Sequence, residues 1–226
     1  MLKSIRKLYF RKKLKVELLV NMINFPMFLN LNSKKVFVCG SGKAIEDKIG
    51  KLLEFNTEIY FFPECKNEKI KYTDKIITMD HPLEEEDLKV LPAFVVASCN
   101  ENRNIVISRA CRKYNIPVNI VDHPGLCDFI FGSMITTDKI CIGISSSGVS
   151  PSAAIRLKKD ILDVVPDNID SILEDMPSIR SWVHTWCSDK ETVKKVLAHI
   201  VSEAFNKDRS LTQEELYCIK NKYLEE

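Results

Sequence analysis

"VFVCGSGKAIEDK", Val36 to Lys48, decides the fold. A short apolar run stops at Gly40, and a second glycine follows at Gly42. Ile45, Ile49, Leu52 and Leu53 then recur at i, i+4, i+7 and i+8, which is one face of a helix. A strand entering a helix through glycines has two physical uses for them. The first permits a tight turn, and the second lets backbone approach a phosphate at the helix N-terminus. Gly40 and Gly42 fit both uses. The third small residue of the usual fingerprint would fall at position 45, where this chain has isoleucine.

The same alternation continues downstream. "TEIYFF" (57–62) reads as a second strand closed by Pro63, "KIITM" (75–79) as a third and "AFVVAS" (93–98) as a fourth. Ile105, Val106, Ala110 and Cys111 mark a helix face before "PVNIV" (117–121), a fifth strand. Strands alternating with helices predict an α/β, Rossmann-type parallel sheet covered on both faces. In that setting a ribose-binding acid is expected about twenty residues after the glycines, at the end of the second strand. Glu64 stands there. A carboxylate accepts from ribose hydroxyls and repels a 2′-phosphate, so the expected cofactor is NAD; a solvated turn residue is the alternative reading of Glu64.

Two later stretches carry candidate chemistry. "NIVDHPGLCDFIFGS" (119–133) puts Asp122 directly after a buried strand, at the sheet edge where α/β enzymes assemble their sites. "CIGISSSGVSPSAAIRLKKDIL" (141–162) runs a strand into a Ser/Gly turn and a helix, with Ser150 as N-cap and Pro151 as first helical residue. Plain turn and cap chemistry is one reading of the serines. The other is a nest of hydroxyls and N–H groups for a carboxylate.

Composition bounds the rest. The 226 residues carry a net charge of +2, 45% hydrophobic and 28% charged residues, an ordinary globular balance with no general pull toward nucleic acid. None of the eight cysteines forms a C-x-x-C pair, so reduced thiols in a cytoplasmic protein are expected rather than zinc or a disulfide framework, and no metal site is expected. No apolar run reaches membrane-spanning length. Residues 1–21 are strongly basic and lack a cleavage pattern; a dispensable leader, with the domain starting at Met22, is the expectation, and a surface anchor the minority one. From Asp167 the tail is helical in pattern. A capping box is expected at "SDKE" (188–191), a last helix near Leu211, and core or surface roles for His184 and His199.

Taken together, the glycine turn, "ASCNENRN" (97–104), "VDHPGLCDF" (121–129) and "SSSGVSPSAA" (145–154) resemble the precorrin-2 dehydrogenases, including the amino-terminal module of siroheme synthase. The resemblance runs from about Ile23 to Val165 and implies NAD-dependent oxidation of precorrin-2 to sirohydrochlorin, with ferrous iron insertion in some members. It implies a nucleotide domain (22–132), a segment pairing two subunits into a homodimer (133–166) and a small helical domain (167–226). Exposed strand edges around 128–145 point the same way. By position it makes Asp122 the general base and puts Lys43 and Ala44 at the dinucleotide. Glu64 and Cys65 fall beside the ribose, Asn104 after the fourth strand, and Ser146, with Ser145 and Ser150, in the tetrapyrrole cleft. Arg156, Lys158 and Lys159 are candidate partners for substrate carboxylates, against a solvated-surface alternative. Gly-Ser-Gly, Asp47-Lys48 and Gly132 depart from the family's three glycines, Arg-Lys and proline. A regulatory module without catalysis and a dedicated iron chelatase are the competing functions.

Overall fold

The KVFVC strand, β1 (Lys35–Gly40), lies at the centre of a five-stranded sheet and alternates its side chains between two cores. The computed structural model describes residues 24–64 and 73–225; the basic leader and Cys65 lie outside the described residues. β1 pairs in parallel with β2 (Glu58–Phe62) on one side and β4 (Phe94–Ser98) on the other. β3 (Ile77–Thr78) and β5 (Val118–Ile120) complete the order β3-β2-β1-β4-β5. The expected third strand shrinks to two exposed residues, a short edge that offers little to an unwanted partner strand.

Val36 and Val38 of β1 pack with Ile45, Ile49 and Leu52 of α1 (Lys43–Leu52) on one face. Phe37 and Cys39 pack with Ile107 and Cys111 of α2 (Glu101–Lys113) on the other. The period-2 alternation of one strand therefore glues a helix to each face. Strand order reverses between β1 and β4, which places the topological switch point at their carboxyl ends. There the two strands come very close: Gly40 has φ +100°, and a Cβ on it would lie 2.1 Å from the Ser98 carbonyl oxygen.

Beyond the sheet, β6 (Ser133–Thr136) and β7 (Cys141–Ile144) form an antiparallel hairpin. α3 (Pro151–Leu162) lies against both strands. Gly132, where the resemblance implied a proline, has a steric reason in the hairpin, since a Cβ there would stand 2.7 Å from the Ile144 carbonyl oxygen. Asp170 ties the hairpin to the tail, accepting from the Thr137 hydroxyl at 2.6 Å, a bond that holds its carboxyl below the usual range.

The tail forms α4 (Ile169–Trp186), α5 (Lys190–Lys207) and α6 (Gln213–Leu224) around their own core of Ile172, Val183, Val196, Ile200 and Leu216. The expected cap is one residue off. Asp189, not Ser188, caps α5, taking the Thr192 N–H at 2.8 Å, because its carboxylate also meets the positive end of the helix. The capping box belongs instead to Thr212 and Glu215 on α6. His184 and His199 sit on different helices, and His199 meets Tyr223 edge-on at 5.8 Å. The seven described cysteines are free thiols, and burial pushes the Cys111 thiol up to about 12. No described helix is long and apolar enough to cross a membrane.

The close strand approach gives a direct test. We expect Gly40→Ala to lower Tm by roughly 5–10 °C or to abolish folding, since it adds both overpacking and a strained φ. Gly125→Ala, where a Cβ meets nothing within 4 Å, serves as the control and should leave Tm unchanged by calorimetry.

Candidate functional site

The glycine turn ends β1 and starts α1 without a side-chain cap. Gly42 is the N-cap, at φ 91°, and its carbonyl accepts from Ile45 and Glu46 at 3.0 and 3.2 Å. The N–H groups of Lys43 and Ala44 come before those bonds and belong to the helix end that has no intrahelical acceptor. A Cβ built on Gly42 meets nothing within 4 Å, so the space in front of this helix end is open. Open space, positive φ and N–H groups without intrahelical acceptors together fit a pyrophosphate. Ile45 in the third fingerprint position is wholly buried in the α1–sheet core, which shows that this helix seats on the sheet without a small residue there.

Glu64 follows β2, and the Nε of Arg103 lies 3.2 Å from both of its carboxylate oxygens. Arg103 also donates to the Leu83 carbonyl. Both side chains are about three-quarters covered (24% and 23% exposed), so the pair is partly shielded from screening. Arg103 was not foreseen from sequence, although its place in the first turn of α2, three residues after the Asn100 cap, is a readable signal. The position after β2 where a ribose-binding acid was expected thus holds an acid and a guanidinium together. A nicotinamide dinucleotide suits both groups, an acid serving a 2′-hydroxyl and an arginine a 2′-phosphate.

Asn104 works on the protein itself. Its side chain accepts from the Cys99 N–H and donates to the Cys99 carbonyl, both at 3.0 Å, and it is 1% exposed. It therefore shapes the loop after β4 rather than reaching outward. Beside that loop the Cys39 thiol is held high by its hydrogen bond to Cys99 and by burial, which keeps it protonated at the switch point. We expect Asn104→Ala, which strands two backbone groups, to cost about 1–3 kcal/mol in urea unfolding, whereas an outward-facing asparagine would cost almost nothing.

Asp122 follows β5 in the left-handed region, with φ 62°, and is exposed. The turn that holds it is firmly built. Val121 donates to the Ala97 carbonyl at 2.9 Å, and His123 to the Ile120 carbonyl at 3.2 Å. The Ile120 N–H donates to the Cys127 sulfur at 3.2 Å. A carboxylate on a rigid strand end, away from the core, can exchange protons with a bound molecule.

The serine hydroxyls are all engaged as acceptors. Ser145 Oγ takes the Ser147 N–H at 2.9 Å, Ser146 Oγ the Ser150 N–H at 3.1 Å, and Ser150 Oγ the Ala153 N–H at 3.2 Å. Each hydroxyl keeps its own proton to donate. Ile144 pairs with Ser133, so this turn starts directly across from Gly132 and the segment leading out of Asp122. Arg156 is bonded to Asp160 one helical turn on, at 2.8 Å, on an exposed surface. The glycine turn, Glu64 and Asp122 therefore share the carboxyl edge of the sheet, while Ser145, Ser146, Ser150 and Arg156 belong to the hairpin and α3 beside it. Among the described residues no three His, Cys, Asp or Glu side chains converge on a metal-sized site.

Residues 27–133 match the family described as "Putative NAD(P)-binding". In sequence the chain is similar to the siroheme synthase of Ruthia magnifica, 32% identical over 161 residues, covering 70% of this chain and 34% of that protein. It is also similar to that of Nitrosomonas europaea, 30% identical over 162 residues, with coverage of 70% and 34%. A siroheme synthase from a Psychrobacter species extends the match to 203 residues at 27% identity, 86% of this chain and 41% of that one. The chain thus spans about a third of the length of the curated relatives it matches. In fold it is similar to "SirC, precorrin-2 dehydrogenase", with a TM-score of 0.60 and 15% identity, covering 90% of this chain and all of that one.

Proposed function

We propose that this chain, which belongs with the siroheme synthases and the precorrin-2 dehydrogenases, oxidises precorrin-2 to sirohydrochlorin with NAD. One observation carries the reading: a single sheet edge presents an open helix N-terminus after β1, an acid after β2 and a carboxylate after β5. A nicotinamide held at that edge would supply the hydride acceptor for oxidation of the macrocycle. The α1 N-terminus and the Gly42 opening hold the pyrophosphate. Glu64, oriented by Arg103, accepts from the ribose hydroxyls, and its carboxylate disfavours a 2′-phosphate. Asp122 takes the proton released as the ring is oxidised. The serine turn donates to carboxylates of the tetrapyrrole, and Arg156 borders the same face.

The hairpin and α3 support pairing of two copies in a cytoplasmic homodimer. Val149 and Val164 are 86% and 76% exposed, and Ile155 and Leu157 of α3 also face outward. Light scattering at micromolar concentration should give twice the 25.9 kDa chain mass, and a mass of 25.9 kDa would contradict the pairing.

Purified protein with precorrin-2 and NAD under anaerobic conditions should produce absorbance at 340 nm together with the sirohydrochlorin spectrum, with a lower kcat/KM when NADP replaces NAD. Added ferrous iron asks in the same cuvette whether metal insertion follows. Asp122→Asn should lower kcat by about 10²–10⁴-fold with NAD affinity retained, since the amide keeps the shape and loses the base. A near-wild-type kcat in that variant would end the catalytic role of Asp122.

A further inference from the structure

The helix that begins at the glycine turn also packs against the segment that leaves Asp122. Ile45 and Ile49 of α1 share one apolar cluster with Val121, Phe129 and Phe131. Lys48 stands on the flank of α1 at this junction, half-buried, with its ammonium 4.4 Å from the centroid of the Phe131 ring. That ring is itself wedged against Phe129 and Phe94, at 5.6 and 6.2 Å between centroids. One turn further on, Lys51 donates to the Gly132 carbonyl at 3.4 Å. Two cations from one helix thus clasp residues 131–132, opposite the start of the serine turn.

Lys48 differs from the other surface lysines of this edge. An aromatic face orients an ammonium without neutralising it. None of the ion pairs among the described residues includes Lys48. Burial makes its proton easier to lose, Lys51 adds to that effect, and the charges of Asp122, Asp47 and Cys127 act against it. These are the titratable groups facing Lys48: Lys51 and Asp47 from its own helix, Asp122 and Cys127 from the turn after β5. A partly desolvated, pre-oriented cation beside an exposed carboxylate is a poor arrangement for the empty protein and a good one for an incoming anion.

We propose that Lys48, held on the Phe131 ring, binds a carboxylate of the substrate and so fixes the edge of the macrocycle that faces Asp122. The ligand class is a polycarboxylate macrocycle, and the inference rests on the function proposed above. Binding at Lys48 orients the ring, and Asp122 then meets the proton it removes.

The test uses sirohydrochlorin as the probe, with affinity read from its fluorescence and steady-state kinetics run in parallel. Lys48→Met should weaken sirohydrochlorin affinity and raise KM by about ten- to hundredfold, the range for a lost charge-assisted hydrogen bond, with NAD affinity unchanged. Lys48→Arg should stay within about threefold of the wild type at pH 7. A cation whose proton is held less tightly than usual binds anions at low pH and releases them as pH rises, so wild-type affinity should fall at a pH below the ordinary lysine range. Arginine does not titrate there, so Lys48→Arg should lose that alkaline limb, a result that a packing role for Lys48 would not produce. Equal sirohydrochlorin affinity in wild type and Lys48→Met would overturn the inference while leaving the function intact. Failure of the wild type to bind sirohydrochlorin would overturn the function itself. Should Lys48→Met not fold, an alkaline limb unchanged in Lys48→Arg would overturn the inference alone.

Discussion

The approach of Gly40 to Ser98 is the constraint on which the remaining geometry depends. β1 and β4 pair in register up to Gly40 and Ser98, and the next link is a bond from Ser41 N to the Ser98 carbonyl at 3.3 Å. Any side chain at position 40 would occupy the place of that carbonyl. With no side chain there, β1 runs to the very edge of the sheet before turning into α1. The α1 N-terminus, Glu64 and Asp122 are then left on the same edge.

Electrostatics beside that edge are arranged in pairs that leave two groups outside any ion pair. Arg103 and Glu64 satisfy each other, as do Arg156 and Asp160. Asp122 carries its carboxylate on a strained, exposed turn, and Lys48 carries its ammonium on an aromatic ring nearby. Within the described residues these two charges are close enough to act on each other yet are not among the ion pairs. Such an arrangement is unfavourable for stability alone and suits a site that must receive a charged molecule.

Much of this was legible in the sequence because the signals are local. Strand–glycine–helix order, alternation in the strands and Ser150 as the cap of α3 depend on residues a few positions apart, and each appears where the pattern put it. Arg103 was not legible as a site residue because its partner Glu64 is 39 positions away. Asn104 stood in the right loop, but only the fold reveals that both ends of its amide bind Cys99. Gly132 looked like a departure from a family pattern until the Ile144 carbonyl across the hairpin gave it a steric reason. At "SDKE" two capping residues stand side by side, and only the backbone conformation reveals that Asp189 rather than Ser188 takes the Thr192 N–H.

The central claim is that one edge of the sheet receives the dinucleotide. Hydrogen–deuterium exchange with and without NAD measures that most directly. The account predicts slowed exchange of the amides of residues 41–46 and 98–104 on adding NAD, with the core of α4 to α6 unchanged. Protection confined to the helical tail, or none at the glycine turn at NAD concentrations that support turnover, would contradict it.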